Sequence, residues 1–218
     1  VQTSYTWAGK FQSTRPAIEV LDDGVIIVDL TRVEWAELKK ERRKLARAPG
    51  VVIDLRGYPT DAGSKILEHM VTEPETRDWM FVAQQVTPDQ QGPIEWEGYS
   101  WDLEPRRPHI DHTVWITDSS AISYAESVMG HVADLGIGPI VGRPTAGANG
   151  NINPYRLPGG YMVSWTGMKV VNRDGSQHHV IGVLPTHPME PTIQGLSEGR
   201  DELLEAALEL VRAENRAR

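Results

Sequence analysis

VWITDSSAISYAESVMG (residues 114–130) joins two patterns across one short polar step. Val114 to Asp118 has the length and β-branched content of a strand, and beyond it Ile122, Ala125, Met129, Val132 and Leu135 recur at helical spacing. A strand delivered straight into a helix is the building unit of an α/β fold. The junction leaves one residue with two readings. Ser123 and Glu126, spaced S-Y-A-E, have the form of a capping box, in which the serine oxygen accepts from a first-turn N–H and the glutamate reaches back. The same place is where helix N–H groups and the macrodipole stabilise negative charge, which suits a nucleophilic serine whose carbonyl adduct becomes an oxyanion. Both readings use one oxygen, and the local sequence keeps both open.

On the N-terminal side the alternation repeats. GVIIVDL (24–30) reads as a strand and TRVEWAELKKERRKLARA as a helix. Thr31 and Glu34 have capping-box spacing, Trp35, Leu38 and Leu45 form the stripe, and Pro49-Gly50 supplies the stop. The run KKERRK is read as a solvated helix face in preference to a phosphate patch. VVIDLRG (51–57) is a buried strand whose C-terminal end opens onto a crevice, and a helix is expected over about 62–72. Between Trp79 and Pro108, MFVAQQV suggests a strand, and PDQQGP and EPRRP suggest loops.

On the C-terminal side come the apolar run PIVG, the glycine-rich TAGANGN, and RLPGGYMVSWTGMKVV, whose PGG centre suits a hairpin. DELLEAALELVRA closes the chain as a helix, with Leu204, Ala207, Leu208 and Val211 on one stripe and Asp201 as its cap. The expectation is an α/β fold with an appended antiparallel hairpin section and a C-terminal helix, residues 1–218 forming a single domain.

Composition narrows the function. With 22 Lys+Arg against 30 Asp+Glu, the net charge of −8 disfavours general affinity for nucleic acid or anionic membranes. No apolar run approaches the roughly 20 residues that span a bilayer. The chain has no cysteine, which removes disulfides, thiolate zinc sites and thiol nucleophiles. Its opening, VQTSYTWAGK, lacks an initiator Met and the sequence of a secretion signal, so a processed piece of a longer chain is expected.

A nucleophilic serine requires a base within hydrogen-bond reach. His109, Asp111 and His112 resemble a loose metal pair without a third ligand of suitable spacing, and no metal or cofactor is expected. His69 and His131 fall inside expected helices and His187 in a loop. His178 and His179 enter an expected strand, where consecutive side chains take opposite faces, so one of them can face a site.

IDLRGYP, TDSSAISYAES, IVGRPTAGANG and GMKVVNRDGSQHHVIGVLP resemble, in order and spacing, the tail-specific or carboxy-terminal processing serine proteases and their tricorn-like relatives. The resemblance runs from about Gly24 to the closing helix. It implies stacked ββα units of the kind found in caseinolytic proteases and crotonases, Ser123 as nucleophile with Glu126 in support, and hydrolysis of peptide bonds in unfolded proteins or peptide tails. By the same resemblance, Gly57 and Tyr124 supply oxyanion N–H groups, and Gly147 permits a close loop approach beside the nucleophile. Two departures stand out. Ala148 occupies the place of the processing branch's general-base lysine, which points to the tricorn-like branch and a histidine base. Pro59-Thr60-Asp61 stands where the family has P-G-G. Two arrangements of the base stay open: His179 is itself the base for Ser123, or it orients a base from sequence preceding Val1.

The alternative is a non-catalytic peptide-binding domain derived from this fold, its serine a plain cap. A crotonase-type acyl-coenzyme A enzyme shares the architecture, but no coenzyme-binding residues are identifiable. An upstream domain and an oligomer are both compatible with the sequence; the resemblance implies an extracytoplasmic location by the habit of bacterial family members and an intracellular one by that of tricorn-like members, and the compartment stays open between them, the first favoured.

Overall fold

The computed structural model describes residues 15–85 and 87–216. The opening VQTSYTWAGK, on which the reading of a processed piece rests, lies outside the described residues. The elements run β1 (Ile18–Val20), β2 (Ile26–Asp29), α1 (Trp35–Leu45), β3 (Val51–Asp54), α2 (Ala62–Leu67), β4 (Met80–Gln84), β5 (Glu95–Tyr99) and β6 (Thr113–Thr117). They continue α3 (Tyr124–Leu135), β7 (Ile140–Gly142), β8 (Ile152–Arg156), β9 (Met162–Thr166), β10 (Met168–Val170), β11 (His187–Pro188), α4 (Ile193–Ser197) and α5 (Glu202–Arg216).

The main sheet has six strands in the order β1-β2-β3-β6-β7-β11, with β1 antiparallel to β2 and the remaining neighbours parallel. Its central strands are unbroken apolar runs because both faces are covered. Val28, Val51, Ile53 and Trp115 pack with α1, α2 and α3 on one face. Val52, Val114 and Ile116 pack with Leu203, Leu204, Ala207 and Val211 of α5 on the other. Burying each such side chain contributes roughly 1.5–3 kcal/mol. α5 lies so close to the start of β3 that a Cβ on Gly50 would stand 2.4 Å from Val211 Cγ2, which excludes any side chain there.

Two antiparallel excursions leave this sheet. β10-β4-β5 form a three-stranded sheet, and β8 and β9 form the ribbon expected around the PGG turn. The result is a mixed α/β fold. No helix among the described residues is long and apolar enough to cross a membrane.

Several local expectations are corrected. Thr31 and Glu34 make no capping box. Asp29 Oδ1 accepts from both the N–H and the hydroxyl of Thr31, so the chain turns before α1 begins. The N–H of Trp35 donates instead to Asp61 Oδ1 at 2.9 Å. α2 stops at Leu67, short of residue 72, and beyond it His69 is tied to the segment before β6: Ile110 N–H donates to His69 O, and His69 Nδ1 lies 2.9 Å from Pro108 O. Ile122 is left out of the buried stripe of α3, being 39% exposed. Asp201 does accept from Leu204 N–H at the start of α5.

Candidate active site

The loops after β3, β6 and β7 leave the carboxyl edge of the parallel sheet and carry the expected site residues. Ser123 is the N-cap of α3 with φ 56° and ψ −113°, a conformation that L-residues rarely adopt. Such backbone costs on the order of 1–3 kcal/mol and persists only where its surroundings impose it. Here the Ser123 N–H is shared between Ala148 O at 3.1 Å and Glu126 Oε2 at 3.2 Å. The residues face each other as in a capping box, but only the glutamate's half is a hydrogen bond of ordinary geometry; Ser123 Oγ makes no cap hydrogen bond. Half-buried, Ser123 lines a cleft of about 510 Å³ together with Tyr58, Tyr124, Asn149 and Trp101.

Glu126 organises this arrangement. Its side chain is fully buried, with Oε1 accepting from Thr145 Oγ1 at 2.7 Å and Gly147 N–H at 2.6 Å, and Oε2 accepting from Ala148 N–H at 2.8 Å. His178 Nε2 stands 3.3 Å from Oε1, at ion-pair distance but outside hydrogen-bond angles. Burial pushes the carboxyl up, yet His178, Thr145, Ala148 and Gly147 together outweigh it and hold Glu126 below the usual carboxylate range. One carboxylate thus ties the first turn of α3 to the 143–150 loop. Gly147 has φ +69°, and a Cβ there would stand 2.7 Å from the Val180 carbonyl carbon, so the loop also touches the turn around residue 180. Thr145 Oγ1 completes the brace by accepting from Val183 N–H at 2.8 Å.

Gly57, with φ 145°, follows β3, and its neighbour Tyr58 lines the same cleft as Ser123. Neither the Gly57 nor the Tyr124 N–H donates to another group among the described residues. From behind, Arg56 fixes this loop with forked hydrogen bonds to Asp54 and Asp201. Burial opposes the guanidinium charge, but the two carboxylates outweigh it and keep Arg56 charged.

The profile of peptidase family S41 matches residues 24–189. The chain belongs to this family. Solved structures share its fold: a putative peptidase from Parabacteroides merdae (TM-score 0.66, 18% identity), mature CPAF (0.66, 15%) and the photosystem II D1 C-terminal processing protease (0.54, 21%). They align with 89%, 90% and 80% of this chain, which spans 63%, 54% and 45% of theirs, under two thirds in each case. No curated protein matches the sequence.

Within this S41 chain Ser123, Tyr124, Glu126 and Gly147 lie together, with the loop bearing Gly57 beside them. The two late histidines sit in a turn and not in a strand, because Ile181 and Gly182 both donate to His178 O and Val180 takes φ 74°. Their rings meet edge to face, with centroids 6.2 Å apart and planes at 81°. His179 Nε2 lies against the backbone of β10, 3.2 Å from Val170 N and 3.1 Å from Met168 O, and makes no hydrogen bond with Ser123. It is His178, almost wholly buried, that reaches the site through Glu126. Sequence reasoning named His178 only together with His179, as a pair of which one can face a site, and it missed Thr145 and Asn149. His131 donates from Nδ1 to Ser127 O at 2.8 Å and stacks on Trp101, a satisfied core histidine whose pKa burial lowers. His112 Nε2 lies 3.1 Å from Asp111 Oδ1.

Proposed function

We propose that this S41 chain is a serine peptidase of the tricorn-like branch, acting on unfolded proteins or peptide tails. The observation that carries the reading is the backbone of Ser123: a strained serine whose N–H is held by Glu126 and Ala148, whose hydroxyl stands at the capping-box position without a cap hydrogen bond of ordinary geometry, and which borders an open cleft. A plain cap needs no strain and uses its oxygen.

In this mechanism Ser123 Oγ attacks the peptide carbonyl and its proton passes to an imidazole. The carbonyl oxygen becomes an oxyanion facing the N–H groups of Gly57 and Tyr124, both without other partners. Collapse breaks the C–N bond, the leaving amine takes the proton from the imidazole, and water then releases the acyl group. His179 serves as base by exchanging its backbone contacts on β10 for Ser123, or it orients an imidazole contributed from outside residues 1–218. The substrate lies extended along the open edge of the β8–β9 ribbon, through main-chain hydrogen bonds. The fold is read as the stacked ββα core of this protease class, residues 1–218 being one catalytic domain of a longer protein.

A second reading, a non-catalytic peptide-binding domain, draws on the absence of a hydrogen bond between Ser123 and any described histidine and on the exposed alanine at position 148. Hydrolysis of unfolded casein separates the two. The peptidase reading predicts cleavage by the wild type and none above background by Ser123→Ala, with His179→Ala slower by about 10²–10⁴-fold if it is the base. Equal cleavage by wild type and Ser123→Ala, or none by either, removes it.

A further inference from the structure

Beside the cleft at Ser123 lies a larger groove of about 880 Å³, and its charge runs against that of the molecule. In a chain of net charge −8, the groove is lined by Lys39, Arg42, Lys65, Arg106 and Arg107 with Glu68 as its one carboxylate. Glu68 already pairs with Arg106 at 2.6 Å, and Lys65 pairs with Asp61 at 2.6 Å. Lys39, Arg42 and Arg107 have no carboxylate partner among the described residues; Arg42 donates only to the Lys39 carbonyl. The basic run on α1 is therefore divided. Lys39 and Arg42, three residues apart on one helix face, turn toward the groove, while Lys40, Arg43 and Lys44 border a separate surface near β1.

The groove and the cleft share a wall. Trp101 and Tyr124, the residue after Ser123, line both. This wall is rigid: Tyr124 OH donates to Ser64 Oγ at 2.9 Å and accepts from Ser64 N–H at 2.7 Å, and Trp101 stacks on His131 with ring planes 4° apart. The three unpaired cations thus lie one side chain away from the cleft at Ser123, across the wall of Trp101 and Tyr124.

We propose that this groove selects acidic peptides, Lys39, Arg42 and Arg107 receiving Asp or Glu side chains that flank the segment held at Ser123. The proposal rests on the peptidase reading for the direction of the chain, and it adds the substrate class. Complementary charge sets specificity and encounter rate more than packing does, and it weakens with salt. A wall shared with a peptide cleft, in an acidic molecule, favours acidic peptide over nucleic acid.

The test uses Ser123→Ala, which holds peptide uncut, and three fluorescent peptides of equal length bearing Glu, Gln or Lys at the same positions. Anisotropy is expected to show the Glu peptide binding at least about tenfold more tightly than the Gln peptide. The preference shrinks in high salt, is reduced by Lys39→Gln/Arg42→Gln/Arg107→Gln, and inverts toward the Lys peptide in the triple Glu variant, with circular dichroism unchanged. Equal binding of Glu and Gln peptides, or a preference that survives both triple variants, overturns the proposal; so does tighter binding of a single-stranded oligonucleotide than of the Glu peptide. Casein hydrolysis by the otherwise wild-type protein is read in parallel. Cleavage without a Glu preference sinks the groove alone, and a Glu preference without cleavage sinks the peptidase reading alone.

Discussion

Glu126 decides whether Ser123 is a cap or a displayed hydroxyl. Its carboxylate takes N–H and O–H donors from Ser123, Thr145, Gly147 and Ala148, so removing it orphans several buried groups at once. Unsatisfied donors cost about 1–3 kcal/mol each, and Glu126→Ala is expected to lose about 3–5 kcal/mol in urea unfolding at pH 7. pH supplies a sharper check. The folded carboxyl titrates below its ordinary value of 4.5, so its stabilisation is complete above that value and is lost as pH falls through the folded pKa. The stability gap between wild type and Glu126→Gln should therefore narrow in acid, and a gap constant from pH 7 to about pH 3 contradicts the hub role. Ser123 and Glu126 were legible because the motif spans one helical turn. Their function was not, because the donors that settle it come from 19 to 22 residues further on, where no periodicity points back. His178 belongs with them for the same reason.

Strands β3 and β6 were readable as unbroken apolar runs, and helices α3 and α5 because each buries a periodic apolar face. Elements whose form depends on partners were not. β5, EWEGY, is mostly exposed and exists through its pairing with β4. The first turn of α1 is closed by Asp61, from 26 residues away, and not by the local Thr31. The loops that carry the site depend on such distant contacts too. Gly147→Ala places a Cβ at φ +69° against Val180, and a loss of about 1–3 kcal/mol is expected in thermal unfolding, with lower casein hydrolysis. No change in either measurement means the loop is not held there. Arg56→Ala leaves Asp54 and Asp201 facing each other without their cation, freeing the Gly57 loop from α5. Roughly 3 kcal/mol of stability should go with it, and the loss should be greater than for Arg56→Lys, whose ammonium keeps the charge but not the fork.

The six-stranded sheet separates two jobs. α1, α2 and α3 cover the face that positions Ser123, and α5 covers the other, its cap Asp201 reaching the loop after β3 through Arg56. Leu204→Ala in α5 is expected to lower stability by about 2–5 kcal/mol while leaving the chemistry of Ser123 unchanged at 25 °C. The alternation of strand and helix along the chain made the α/β class legible, and the four spaced motifs pointed to the family that residues 24–189 match. The basic groove was not legible: KKERRK read as one solvated face, and only the packing of α1 beside α2 and Trp101 divides it. What everything else depends on is that Ser123 Oγ is a nucleophile, and treatment with a fluorophosphonate followed by peptide mapping measures this. The expected result is a single adduct on Ser123 in the folded wild type, absent from Ser123→Ala and with buried Ser127 unmodified. An unmodified wild type, or equal labelling of the Ser123→Ala variant, contradicts it.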